Sequence, residues 1–175
     1  MLERLWASWR SDYVRSIDDS NEHAFTTGDG ATLFEGILAA GLSDEEAGVV
    51  HRGELVSVIL NAYPYGSGHV LVVPNRGVAR LGDLTAEESR TLWDTVDRAV
   101  AVCEAEYECP GVNVGLNQGK AAGAGVPDHL HVHVLPRWLG DTNFMTAIAE
   151  TRVLPESLDE SGRRLRARWG QVPYR

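Results

Sequence analysis

Residues 129–136 read His-Leu-His-Val-His-Val-Leu-Pro, so histidines alternate with aliphatic residues. Successive side chains of a β-strand point to opposite faces, which predicts that His129, His131 and His133 share one face of a sheet. The aliphatic residues between them face the other side and can fill a core. A purely structural row of three imidazoles is rare, because histidine is polar and titrates near neutral pH. The strand therefore predicts a packed layer behind it and a chemical role for its histidine face.

The segments around this strand predict an α+β fold with an antiparallel sheet. Thr85 and Glu88 form a capping-box pattern ahead of a long helix over residues 85–107. Its predicted apolar face consists of Leu92, Trp93, Val96, Val100 and Cys103. Strands are predicted at residues 54–61, 69–74, 111–117 and 130–136, and shorter helices over 31–40, from Ser43, and after Pro155 to near Trp169.

The chain has 175 residues, of which 43% are hydrophobic, and this is enough for one domain over residues 1–175. Within that domain we expect an amphipathic N-terminal arm and a loop over residues 1–30. The motif-bearing core is expected over 50–150, and a C-terminal helix and tail over 151–175.

Net charge and cysteine content exclude several classes of protein. A formal net charge of -9 argues against nucleic-acid binding, although local donors still suffice for a small polyphosphate. No segment approaches the ~20 apolar residues that cross a bilayer, and the charged N-terminus is not a signal peptide. Cys103 and Cys109 are expected to be free thiols. We therefore expect a cytoplasmic protein without a membrane segment.

The histidine row by itself fits two chemistries. A His-x-His pair can hold a metal ion, although such a site needs further ligands and only Asp128 adjoins the row. Alternatively, a neutral imidazole can attack phosphorus as a nucleophile while its neighbours orient it and move a proton. The spacing alone does not decide between these two.

A glycine-rich segment upstream favours the phosphorus chemistry. Residues 113–129 read NVGLNQGKAAGAGVPDH, and the backbone N–H groups of such a loop can point at phosphate oxygens. Gly123 and Gly125 are the candidate phosphate-binding positions. A metal site has no use for this loop, so we expect no metal ligands among the site residues.

At this point the sequence resembles the histidine-triad family, whose pattern is His-φ-His-φ-His-φ-φ with φ apolar. All seven positions match in residues 129–135. Residues 61–76, NAYPYGSGHVLVVPNR, resemble an earlier segment of that family, and residues 137–145, RWLGDTNFM, resemble a bacterial subgroup of diadenosine tetraphosphate phosphorylases or hydrolases. The resemblance implies a five-stranded antiparallel sheet with one long helix and flanking shorter helices.

The resemblance also implies roles for the histidines. His131 is expected to be the nucleophile that forms a covalent nucleotidyl-histidine, and His129 to orient that ring through its backbone carbonyl. His133 is expected to hold the α-phosphate or to move the proton. His69 is expected to complete the network, and its alternative role is in the core or at a strand end.

Further residues are assigned to the nucleotide in the same way. Asn61 is expected to contact the ribose and Asn117 a phosphate or the leaving oxygen, although each could instead stabilise a turn. Trp138 is expected either to stack on adenine or to pack at a subunit contact. His23 and His51 match no motif and are expected to be surface histidines.

One departure from the family pattern bears on the second step of the reaction. Many members carry Gln four residues before the first triad histidine, where this chain has Gly125. Loss of that amide should weaken water positioning and leave space for phosphate, so we expect inorganic phosphate as the second nucleophile. No cofactor is expected beyond magnesium carried by the nucleotide.

Several alternatives remain open at this stage. They are a water-using dinucleoside polyphosphate hydrolase, an AMP-phosphoramidate hydrolase, a nucleotide-binding sensor and a metal-dependent hydrolase. The family usually dimerises by extending one sheet across two subunits, so a homodimer or larger homo-oligomer is expected.

Overall fold

The computed structural model describes residues 31–141 and 154–173, so the predicted N-terminal arm and His23 lie outside the described residues. Within these two ranges, a five-stranded sheet carries three helices and two short 3-10 turns. The helices are α1 (Leu33–Ala39), α2 (Ala86–Tyr107) and α3 (Leu158–Trp169). The strands are β1 (Val49–Arg52), β2 (Val56–Leu60), β3 (Val70–Pro74), β4 (Gly111–Leu116) and β5 (Val132–Arg137).

Every neighbouring pair of strands is antiparallel, and the strand order is β1-β2-β3-β5-β4. The register places Leu71 of β3 opposite His133 of β5. Because β3 and β5 are adjacent although far apart in the chain, the β2–β3 hairpin delivers its residues directly beside the histidine strand. The predicted α+β class and five-stranded antiparallel sheet are confirmed.

The two faces of the sheet carry different layers. One face packs against α2 and α3 and contains the larger core, which includes Leu130, Val132 and Val134. The other face has a smaller apolar cluster in which Phe34 of α1 packs with residues of β1, β2 and β3. The histidines of the triad lie on this second face, so α1 partly covers them.

Helix α2 begins where the capping-box pattern predicts. The Thr85 hydroxyl accepts the Glu88 N–H at 3.1 Å, and the Glu88 carboxylate accepts the Thr85 N–H at 2.8 Å. Helix α3 ends at Trp169 as predicted, and Arg98 of α2 donates to the carbonyl of Trp169 and to that of Val172 just beyond the helix. Helices α2 and α3 are therefore held together by apolar contacts and by Arg98.

The short helix predicted from Ser43 is wrong. Residues 44–48 form turns, and β1 begins at Val49 and pairs with β2. Gly48 has φ +64°, which interrupts a helix, and the β-branched pair Val49 and Val50 favours a strand. Strand β1 is thus the one strand of the described sheet that the pattern of residues did not predict.

Two side-chain predictions also differ from the structure. Trp93 is 44% exposed, whereas Thr95 and Ala99 are buried, so the apolar stripe of α2 is rotated relative to the predicted one. His51 is half-buried and stacks on Trp169 with ring centroids 4.9 Å apart. The predicted free thiols Cys103 and Cys109 are both unpaired and buried.

Candidate active site

The histidine row lies where the chain enters β5. Strand pairing begins at Val132, so His129 and His131 precede the strand, whereas His133 lies within it. The alternation still separates the two sides, because Leu130 is in the larger core while His129 and His131 contact Phe34 on the opposite face. His129 is 0% exposed and His131 5% exposed, while His133 remains partly accessible.

A backbone carbonyl determines the tautomer of His131. The carbonyl oxygen of His129 lies 2.8 Å from His131 Nδ1. A carbonyl accepts but does not donate, so His131 Nδ1 carries the proton and donates it to this bond. In the neutral ring Nε2 then holds the lone pair, which is the requirement for a nucleophile.

A chain of hydrogen bonds determines the tautomer of His133 in the same way. The backbone N–H of Tyr65 donates to His69 Nδ1 at 3.0 Å, so a neutral His69 carries its proton on Nε2. His69 Nε2 lies 3.0 Å from His133 Nδ1 and donates to it. A neutral His133 therefore carries its proton on Nε2, which becomes a donor for a phosphoryl oxygen.

Burial favours the neutral form of His129 and His131, the two inner histidines of the row. Desolvation is the main cause that lowers the pKa of His131 below its ordinary value, although the hydrogen bond to the His129 carbonyl partly opposes it. Desolvation likewise lowers the pKa of His129, whose Nε2–H donates to the Pro74 carbonyl at 2.8 Å. The row can thus present an uncharged imidazole near neutral pH.

Asn61 lies beside His69 at the start of the β2–β3 hairpin loop. Its side-chain oxygen accepts the Tyr63 N–H at 2.9 Å, and its Nδ2 lies 3.3 Å from His69 Nδ1. These contacts stabilise a turn, which was the alternative to ribose binding. They also place the amide of Asn61 within the histidine network.

The glycine-rich loop is shaped by its own backbone. Gly123 has φ +88°, a conformation that other residues rarely adopt, and its N–H donates to the Lys120 carbonyl at 2.9 Å. Asn117 Nδ2 donates to the Gly123 carbonyl at 3.4 Å, so Asn117 closes this loop. Val126 packs against the Phe34 cluster, which brings the loop end that contains Gly125 toward the histidine face.

Trp138 is not brought to the histidines. Its ring packs edge-on against Tyr107 of α2 with centroids 6.0 Å apart. Trp138 follows the end of β5, and the side chains that precede it at even spacing, Val134 and Pro136, point toward the helices. Stacking on adenine therefore has no support in this arrangement.

The sequence reasoning missed Thr32, which contacts the first triad histidine, and Glu35, which contacts Thr32. Thr32 Oγ1 lies 2.5 Å from His129 Nδ1, and the same hydroxyl lies 2.8 Å from Glu35 Oε2. Thr32 is the N-cap of α1 and Glu35 is in its first turn. Their Thr-x-x-Glu spacing is a capping-box pattern, so a helix start could have been identified, but its contact with His129 depends on the tertiary fold.

Among residues 31–141 and 154–173 no group of three or more His, Cys, Asp or Glu side chains could hold a metal ion. Within the same ranges no helix is long and apolar enough to cross a membrane. Both ring nitrogens of His129 and the Nδ1 of His131 face a backbone or side-chain partner.

Known proteins resemble this chain in sequence and in fold. A family model described as "HIT domain" matches residues 43–138. The AP-4-A phosphorylase of Mycobacterium tuberculosis is 43% identical over 175 residues, which covers 98% of this chain and 87% of that protein. An asymmetrical bis(5'-nucleosyl)-tetraphosphatase of Schizosaccharomyces pombe is 40% identical over 93 residues, covering 53% of this chain and 50% of that protein. The crystal structure of a zinc-bound histidine triad family protein from Mycobacterium smegmatis superposes with a TM-score of 0.66 at 29% identity, covering 82% of this chain and 96% of that one.

Proposed function

The chain belongs to the family defined by the HIT domain, and from this premise we propose that it is a diadenosine tetraphosphate phosphorylase that works through a covalent nucleotidyl-histidine. The observation that carries the proposal is the near-full-length similarity to AP-4-A phosphorylase. A relative that matches about half of this chain, the asymmetrical bis(5'-nucleosyl)-tetraphosphatase of Schizosaccharomyces pombe, is also named for action on a dinucleoside polyphosphate. The geometry of the histidine row supplies the mechanism.

In the first step His131 attacks the substrate. The lone pair on its Nε2 forms a bond to the α-phosphorus, and the bond from that phosphorus to the bridging oxygen breaks, so its electron pair leaves with ATP. The Nδ1–H bond to the His129 carbonyl supports this step, because it stabilises the positive charge that develops on the ring. The Nε2–H of His133 can donate a hydrogen bond to the leaving oxygen and so stabilise the negative charge that develops there.

In the second step inorganic phosphate is the nucleophile. A phosphate oxygen attacks the α-phosphorus of the nucleotidyl-histidine, the nitrogen–phosphorus bond breaks, and its electron pair returns to His131 Nε2. The product of this step is ADP. Gly125 supports phosphate over water, because it offers no amide side chain to position water and leaves space at a loop that reaches the histidine face.

The proposal also covers the nucleotide ligand, the assembly and the location. We expect magnesium to arrive with the polyphosphate, and Asn61, Asn117 and Gly123 to line the nucleotide site. We expect a homodimer formed through β4, since this strand lies at the sheet edge and its central residues are exposed. The two free buried thiols are consistent with a cytoplasmic location.

The first experiment is product analysis on diadenosine tetraphosphate with and without inorganic phosphate. We expect turnover to require phosphate and to yield ADP and ATP. Phosphate-independent release of AMP and ATP would assign a hydrolase instead and would refute the argument from Gly125. A parallel assay with an AMP-amine phosphoramidate separates the remaining enzyme alternative.

A variant of the nucleophile tests the chemistry itself. His131→Ala should abolish turnover while nucleotide binding, measured by calorimetry, stays within a few-fold of the original, since only the attacking atom is lost. The matched control is His51→Gln, a histidine outside the site that stacks on Trp169. Surviving turnover in His131→Ala would refute the covalent mechanism and leave a different nucleophile to be found.

A further inference from the structure

The hydroxyl of Thr32 lies between two groups that compete for its single proton. It is 2.5 Å from His129 Nδ1 and 2.8 Å from Glu35 Oε2. Because His129 Nε2 donates to the Pro74 carbonyl, the neutral ring has its lone pair on Nδ1. The one hydroxyl proton of Thr32 is given either to that lone pair or to Glu35 Oε2, and partners from elsewhere in the chain face both ring nitrogens of His129.

Glu35 is anchored independently of the histidine. Its Oε1 accepts the Gly77 N–H at 2.8 Å, and its Oε2 accepts the Thr32 N–H at 2.8 Å. A Cβ built on Gly77 would lie 2.8 Å from both Glu35 Oε2 and Thr32 Cγ2, so the backbone after β3 approaches this carboxylate closely. Glu35 thus ties the start of α1 to the loop after β3 and holds Thr32 in place.

The orientation of the His129 ring bears on His131 through the backbone of His129. The carbonyl of the same residue accepts the Nδ1–H of His131, so a rotation of His129 about its backbone would misdirect the proposed nucleophile. Phe34, between Thr32 and Glu35 in sequence, packs edge-on against both rings at centroid distances of 5.1 and 5.5 Å. The first turn of α1 therefore contacts the row through a hydroxyl and an aromatic ring.

We propose that Thr32 and Glu35 are positioning residues for the nucleophile. Thr32 fixes the ring of His129, Glu35 fixes Thr32, and the carbonyl of His129 fixes the direction and tautomer of His131. This inference rests on the proposed function for its kinetic readout. Its spectroscopic readout does not depend on any substrate.

Thr32→Val removes the hydroxyl at nearly constant volume, and Thr32→Ser is the matched control that keeps it. We expect Thr32→Val to lower kcat for diadenosine tetraphosphate by about 10- to 100-fold with KM nearly unchanged, as for a misplaced reacting group. Thr32→Ser should stay within a few-fold of the original. Glu35→Gln, which keeps the shape but not the charge, should fall between the two. Rates are normalised to the folded fraction measured by circular dichroism.

Nitrogen-15 NMR of the imidazoles in the unliganded protein gives the second readout. The original chain should show His131 as the Nδ1–H tautomer, and Thr32→Val should show a mixture of both tautomers, whereas Thr32→Ser should not. A purely structural role for the hydroxyl would change thermal stability without changing this tautomer signal.

Three results would overturn the inference. They are an unchanged tautomer signal with unchanged kcat in Thr32→Val, equal losses in the Val and Ser variants, and a rate loss fully accounted for by unfolded protein. If the original chain does not cleave diadenosine tetraphosphate at all, the proposed function fails, and the tautomer signal alone then decides the positioning role.

Discussion

Gly68 precedes His69 and combines a left-handed backbone conformation with a close contact to a neighbouring ring. Its φ is +72°, and a Cβ at this position would lie 2.4 Å from Tyr107 Cε2 and 2.8 Å from Cζ. The left-handed conformation costs a residue with a Cβ about 1–2 kcal/mol. Inserting a methyl group into a packed site costs about 1–3 kcal/mol more. We therefore expect Gly68→Ala to lower the free energy of unfolding by about 2–5 kcal/mol.

Gly41 is the matched control, because its φ is +69° and a Cβ there would meet nothing within 4 Å. Gly41→Ala should lose only the backbone part, about 1–2 kcal/mol. Urea denaturation followed by circular dichroism measures both variants under the same conditions. Gly68→Ala should also lower turnover by more than the folded fraction of the protein falls. The reason is that the shifted backbone moves the His69 ring, which donates to His133.

The cause of the loss is tested in a second background. Tyr107→Ala removes the two closest atoms that the new methyl would meet and leaves Pro136 Cγ at 3.1 Å, so Gly68→Ala should then cost much less than it does in the original chain. Equal losses from Gly68→Ala with and without the Tyr107 ring, or a loss in the original chain no larger than that of Gly41→Ala, would refute the packing argument.

Two further predictions concern pH. The Arg76 guanidinium and the Thr85 backbone lower the pKa of Glu88 to about 2 from its ordinary value of 4.5, so its contribution to stability is present above pH 4.5 and is lost as the pH falls toward 2. Urea denaturation across this range should show a flatter acid dependence for Glu88→Gln than for the original chain, and identical curves would contradict the assignment. Burial lowers the pKa of His131 below its ordinary value of 6.5, so the neutral nucleophile persists into mild acid and the acid limb of kcat/KM should have its midpoint below pH 6.5. A midpoint at or above 6.5 would contradict a buried neutral nucleophile.

The sequence predicted those elements whose local pattern and tertiary packing agree. Helix α2 has a capping box, a long apolar stripe and buried partners, so its bounds were predicted to within a residue. Strand β1 was missed because its four residues give too short a pattern, and its first two, Val49 and Val50, end the acidic stretch SDEEAGVV that was interpreted as a short helix. Trp93 was placed on the wrong side of α2, because an aromatic residue at the border of a helical stripe fits either side by spacing alone.

The sequence predicted the histidines of the candidate site but not the contacts that depend on how distant elements pack. The histidines were identified from alternation and from the family resemblance, and the fold brings all four together. The contact from Thr32 was missed because it joins residues 97 positions apart and follows from the docking of α1 on the sheet. Trp138 was assigned from its nearness in sequence to the row, but the strand carries it to the helical side instead.

Backbone groups set the tautomers of the inner rings, and this determines which substitutions the site should tolerate. The carbonyls of Pro74 and His129 and the N–H of Tyr65 each fix the proton of one histidine. A substitution of the side chain does not remove such a group, whereas a shift of the backbone misdirects it. The site should therefore be sensitive to changes of backbone conformation beside the histidines, as at Gly68, as well as to loss of the Thr32 hydroxyl that contacts the His129 ring.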